Sequence, residues 1–100
     1  MSTTQRSRPP DPGLDARVAM HAALAERHRL AICDALALSD RSPAELAGLL
    51  GVGSNLLAHH LGVLADAGLV EVTPSHGDRR RRYVRLREDA RPLVAPAESL

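Results

Sequence analysis

The chain has 100 residues, room for one domain, with a formal net charge of +1 and neither Phe nor Trp. No apolar run reaches membrane-spanning length, so a cytoplasmic protein without a membrane partner is expected. The one cysteine, Cys33, excludes an internal disulfide and a zinc cage of the paired CxxC kind, leaving a buried free thiol as the expectation.

Residues 1–13, "MSTTQRSRPPDPG", are polar and Pro-rich without apolar periodicity, and read as a disordered arm. No apolar stretch follows their arginines, so they do not read as a signal peptide. From Leu14 to about Leu38, apolar residues recur at helical spacing: Val18, Ala22, Leu24, then Leu30, Ile32, Ala35 and Leu36. One unbroken helix would be long for so small a domain, and the spacing divides into two helices near 25–27. A core made of Leu, Ala and Val alone is marginal for a monomer, so self-association is expected.

"SDRSPAELAGLLGVGSNLLAHHLGVLADAGLV" is the most legible stretch. Ser42 reads as an N-cap, Pro43 as the first helical residue and Glu45 as the return arm of a capping box. Leu46, Leu49 and Leu50 form the expected buried stripe of a short helix, which Gly51 ends in the left-handed conformation. "GVG" is a tight turn, and Ser54 or Asn55 is expected to cap a second helix running to about Ala67. Leu57, Leu61 and Leu64 mark its inner face, and Gly68 its stop. Two short helices joined by a glycine turn are a helix-turn-helix pattern.

The chain then changes period. "LVEVT" sets Val70 and Val72 against Glu71 and Thr73, and "RRYVRLR" sets Arg82, Val84 and Leu86 against Tyr83, Arg85 and Arg87. Two alternating runs around Gly77-Asp78 read as a β-hairpin, a wing placed directly after the helix-turn-helix. The expected fold is mainly α: a winged helix-turn-helix domain over 14–88, its helices followed by a two-stranded hairpin. Pro92 and Pro96 interrupt any further helix, so 89–100 read as a short tail or frayed helix.

The helix pair, the hairpin and above all "ALAERHRLAICDAL" and "HHLGVLADAGLV" resemble the ArsR-type winged-helix repressors over about Ala19 to Leu86. The resemblance implies a homodimeric transcriptional repressor that loads its second helix into the major groove of double-stranded DNA. Metal sensors of that family carry two cysteines at positions that fall here on about Ser42 and Ala44. The C-terminal alternative site needs histidines, and 88–100 offer only Glu88, Asp89 and Glu98. "LSDRSPAEL" and "NLLAHHL" also resemble a branch fused ahead of a low-molecular-weight phosphatase or arsenate reductase. Two further readings therefore stand: a dimerisation or regulatory module of a fused or partner phosphatase, and a metal(loid)-responsive sensor with a non-standard site.

On the second helix Ser54, Asn55, Ala58 and His59 point away from the leucine stripe and are the candidate DNA contacts. His60, one residue round, reads as a partly buried histidine held by a hydrogen bond. His59 and His60 diverge by about 100° on a helix and do not chelate one ion together. His21 and His28 share a face without an obvious carboxylate or thiolate partner, so no metal site and no cofactor are expected. Residues 79–87 hold six arginines (79–82, 85 and 87). Arg79, Arg80 and Arg81 at the hairpin tip are the candidate phosphate contacts, ranked above Arg85 and Arg87. No nucleophile–base pairing and no phosphate-cradling glycine loop is present, so the chain does not read as an enzyme.

Overall fold

Local signals set where each helix begins and ends. The computed structural model describes residues 12–74 and 81–94. In chain order these form α1 (Pro12–Leu24), α2 (Arg27–Leu38), α3 (Pro43–Leu50), α4 (Ser54–Asp66), β1 (Val70–Pro74), β2 (Arg82–Leu86) and a 3-10 helix (Glu88–Leu93). The break expected near 25–27 lies between α1 and α2, where the Glu26 carboxylate caps α2 by accepting from the Arg29 N–H at 2.9 Å. A glutamate in that role carries no strong sequence signature, because Ser, Thr, Asp and Asn dominate N-caps.

At α3 the capping box forms as its residues dictate. The Glu45 N–H donates to Ser42 Oγ at 3.1 Å, and the Ser42 N–H donates to Glu45 Oε1 at 2.8 Å. The hydrogen bond from the Ser42 backbone is the main reason the Glu45 carboxyl lies below the usual carboxylate range. Ser42→Ala is expected to cost about 1 kcal/mol, read as a lower urea midpoint with an unchanged slope. Gly51 ends the helix at φ 67°, inside the left-handed region that disfavours a β-carbon. Leu49 departs from the expected stripe: Leu46 is fully buried, whereas Leu49 is 61% exposed. With only two turns of helix, one row of side chains faces the core, and Leu49 falls outside it.

The axes of α3 and α4 cross at 110°, the open angle of a helix-turn-helix. The cap of α4 is Gly53, extended at φ −75° and ψ 164°, and it makes no side-chain hydrogen bond. Neither Ser54 nor Asn55 is the cap, since both already stand inside the first turn. Glycine costs only a few tenths of a kcal/mol relative to serine there, so the turn geometry decides. At the other end Gly68 adopts φ 80°. The Leu69 N–H donates to the Leu64 carbonyl at 2.9 Å and the Gly68 N–H to the Ala65 carbonyl at 3.0 Å, a Schellman motif. Leu64 and Leu69 are both fully buried, which adds the apolar contact that accompanies this motif.

β1 and β2 pair antiparallel in the register Val70↔Leu86, Val72↔Val84 and Pro74↔Arg82. That register places Val70, Val84 and Leu86 on the core, while Glu71 and Arg85 pair across the outer face at 3.7 Å. The expected turn at Gly77-Asp78 lies outside the described residues. Arg41 adds a feature with no local signal. It bridges to Val84, its N–H donating to the Val84 carbonyl at 3.1 Å and its carbonyl accepting from the Val84 N–H at 2.7 Å.

Two boundaries differ from the sequence expectation. α1 begins at Pro12, ahead of the expected end of the arm, because proline suits the first helical turn. Residues 89–94 are packed, and 95–100 lie outside the described residues: Ala90 and Val94 are buried, and Arg91 Nη1 donates to the Ala37 carbonyl at 3.3 Å in the last turn of α2. Pro92 is accommodated in a 3-10 turn. Met20, Ala23 and Leu24 of α1 join Ile32, Cys33 and Leu36 of α2, Leu46, the inner face of α4 and the hairpin in one aliphatic core. Burial, aided by the neighbouring Asp34, pushes the Cys33 thiol up to about 12, so it behaves as a small hydrophobe.

Candidate nucleic-acid interface

α4 is two-faced. Leu57, His60, Leu61 and Leu64 are buried, while Ser54, Asn55, Ala58, His59 and Gly62 are exposed along the opposite side. The core therefore holds this helix by one stripe and leaves the candidate contact residues in solvent. Losing the capping role leaves the hydroxyl of Ser54 and the amide of Asn55 directed outward at a helix N-terminus, where free N–H groups favour phosphate. Leu56, 44% exposed, borders this polar face and is no candidate by sequence. Its position one turn before His60 is the signal that places it at the rim.

Of the tip arginines, Arg79 and Arg80 lie outside the described residues. Arg81 is exposed immediately before β2, and with Arg82 and Tyr83 it lines an open cleft against Asp40, Ser42, Pro43, Ala44 and Glu45. The start of the ascending strand thus faces the N-terminus of α3. Arg85 and Arg87 lie lower on the hairpin among carboxylates. Glu71 approaches Arg85 at 3.7 Å and Arg87 at 3.9 Å, and Asp89 approaches Arg87 at 3.6 Å. These exposed pairs are individually weak. Their effect is to offset the charge of the strand's base.

Behind α4 lies a polar cluster that spacing along the sequence does not reveal. His60 is 5% exposed, and Arg29 Nη1 donates to its Nδ1 at 3.2 Å. Arg29 is anchored in turn by Nε, which donates to the Ala23 carbonyl at 2.7 Å. Glu26 Oε1 stands 3.9 Å from His60 Nδ1, and Glu26 Oε2 lies 3.1 Å from His28 Nδ1. The Arg29 N–H and then His28 hold the Glu26 carboxyl below its usual range. His28 therefore does have a carboxylate partner, two residues before it, and its ring neighbour is His60 (centroids 5.4 Å apart) rather than His21, which is exposed.

The ligand atoms of Glu26, His28 and His60 lie within 4.8 Å of one another, a spacing that invites a metal ion. The guanidinium opposes that use. It already takes the Nδ1 lone pair of His60, and its positive charge beside that ring disfavours a second cation. Among the described residues no helix is long and apolar enough to cross a membrane; α3 and α4 pass only as a bent pair. Both are helices of the aliphatic core.

A family model described as a helix-turn-helix domain matches residues 24–73. Among solved structures, the chain is similar to the homodimeric winged helix-turn-helix DNA-binding domain of Mb0332 from Mycobacterium bovis, a possible ArsR-family transcriptional regulator. The identity is 29% and the TM-score 0.75, over 88% of this chain and 82% of that one. The transcriptional repressor BigR from Xylella fastidiosa is 28% identical with a TM-score of 0.70, over 81% of this chain and 78% of that one. A mutant of ZitR from Lactococcus lactis, 24% identical with a TM-score of 0.66, shares the fold over 68% of this chain; the chain spans 47% of ZitR. No curated protein sequence matches the chain. The fusion with a phosphatase finds no support in these matches. Matched by the family model from the end of α1 to β1, and built with the hairpin wing of its structural neighbours, the chain belongs to the helix-turn-helix domain family and is a winged-helix protein of the ArsR type.

Proposed function

We propose that the protein is a sequence-specific, homodimeric transcriptional repressor working in the cytoplasm on double-stranded DNA. α4 enters the major groove, with Ser54, Asn55, Ala58 and His59 facing base edges and nearby phosphates. Arg79, Arg80 and Arg81 at the wing tip hold the flanking backbone. The observation that carries this reading is the division of α4 into a buried stripe and an exposed polar face beside an arginine-bearing hairpin. The likeness to Mb0332, a homodimeric DNA-binding domain similar over most of its length, supports both the ligand and the assembly.

Genome-wide binding with the purified protein tests the ligand and yields the operator at once. Asn55→Ala and His59→Ala are each expected to relax base preference at one or two positions, by roughly tenfold for a lost base contact. Enrichment of no DNA segment above background would remove the proposal.

The dimer rests on α1. Leu14 is 52% and Val18 59% exposed, and with Ala22 they make an apolar row at helical spacing that no other described residue covers. Two copies of α1 packed about a two-fold axis bury that row. Val18→Glu is expected to convert the dimer to monomer in sedimentation velocity without loss of helix content. An undisturbed dimer would move the interface elsewhere.

A further inference from the structure

The Arg29–His60 contact joins residues 31 apart in sequence and ties the recognition helix to the corner between α1 and α2. Its chemistry fixes the state of the ring. A guanidinium only donates, so Nδ1 carries the lone pair and the proton sits on Nε2. Nε2 is buried and has no hydrogen-bond partner among the described residues. His60 is thus held to the rest of the fold, in polar terms, through one nitrogen. We propose that Arg29 and His60 are positioning residues for DNA recognition, forming a clasp that seats α4 while His60 is neutral and opens when Nδ1 takes a proton. The proposal rests on the DNA-binding reading given above.

Protonation of Nδ1 removes the acceptor and sets an imidazolium 3.2 Å from a guanidinium. The new N–H then has Glu26 Oε1, 3.9 Å away, as its nearest carboxylate. Glu26 favours the charged ring, while Arg29, His28 on the same corner and His59 on α4 oppose it. Burial is the largest influence and, with the Arg29 guanidinium, holds His60 below its usual range. A histidine with a lowered folded value stabilises the fold fully above its unfolded value of about 6.5, and that contribution is lost as pH falls below it.

The sign of the effect distinguishes the clasp from direct contact with DNA. Direct contact between DNA and a histidine that gains charge in acid would strengthen binding to phosphate. Opening the clasp weakens it. The test uses the whole chain, a fluorescent duplex selected by the wild-type protein from a random-sequence pool, and anisotropy from about pH 8 to about pH 5. It is run on the wild-type chain and on His60→Gln, so that the contribution of every other histidine cancels between them. Affinity is expected to fall about tenfold across that range. His60→Gln keeps an acceptor for Arg29 but does not titrate, so it is expected to bind at neutral pH and to lose the acid-induced fall. Arg29→Met is expected to bind about tenfold more weakly at neutral pH. Urea unfolding of each variant separates misfolding from misplacement, and ring nitrogen–proton NMR reads the His60 tautomer.

A ring protonated on Nδ1 at neutral pH would overturn the proposal. So would pH profiles that coincide with and without His60→Gln. Absence of DNA binding by the wild-type chain at every pH overturns the DNA-binding reading instead, with the tautomer still deciding whether the clasp exists.

Discussion

Replacing Arg79, Arg80 and Arg81 together by alanine is expected to weaken DNA binding by two orders of magnitude or more and to flatten its dependence on salt. In the proposed dimer, three tip arginines per subunit would make about six phosphate contacts, for which release of condensed counterions sets a log–log salt slope of roughly −5. The variant should lose most of that slope while keeping its order of preference among sequences, because backbone contacts position without specifying. The base of the hairpin does not replace the tip. Arg85 and Arg87 lie against Glu71 and Asp89, which already offset their charge. Anisotropy titrations at several salt concentrations check the result, and an unchanged slope would remove the wing from the interface.

Leu36→Ala is expected to cost about 2–5 kcal/mol, the range for emptying a fully buried leucine site. Leu36 is fully buried in α2 within a core that has no phenylalanine or tryptophan to close over a cavity. Against a total stability of about 5–15 kcal/mol, this loss is a large fraction of what keeps a domain folded. Urea unfolding followed by far-UV circular dichroism is the measurement, since a single tyrosine gives little fluorescence to follow. Leu38→Ala, two residues on and 69% exposed, serves as the control with an effect within about 0.5 kcal/mol. Equal effects of the two would contradict the burial pattern of α2.

Features carried by neighbouring residues are legible in the sequence itself. Ser42, Pro43 and Glu45 specify the start of α3 among themselves, Gly51 and Gly68 mark turns that need positive φ, and the alternation in "RYVRL" announces β2. The start of α4 differs by one residue from the expectation because serine is the better cap by preference, while the turn puts Gly53 there. Leu49 belongs to the core only by a spacing that holds for a longer helix than the two turns of α3. The clasp is illegible for a different reason. Arg29 and His60 are ordinary residues in their own helices, and only the packing of α4 against the α1–α2 corner brings them together. The outward face of α4 is legible because it is the complement of its leucine stripe. Which of its residues touch DNA is a property of the complex.

The paired hydrogen bonds between Arg41 and Val84 give the linker before α3 the role of a third, one-residue strand. The wing is therefore fastened to both ends of the reading unit, through β1 to the end of α4 and through Arg41 to the start of α3. A hairpin held at two points cannot swing independently of the helices it flanks. A tilt of α3 or α4 therefore carries the wing with it.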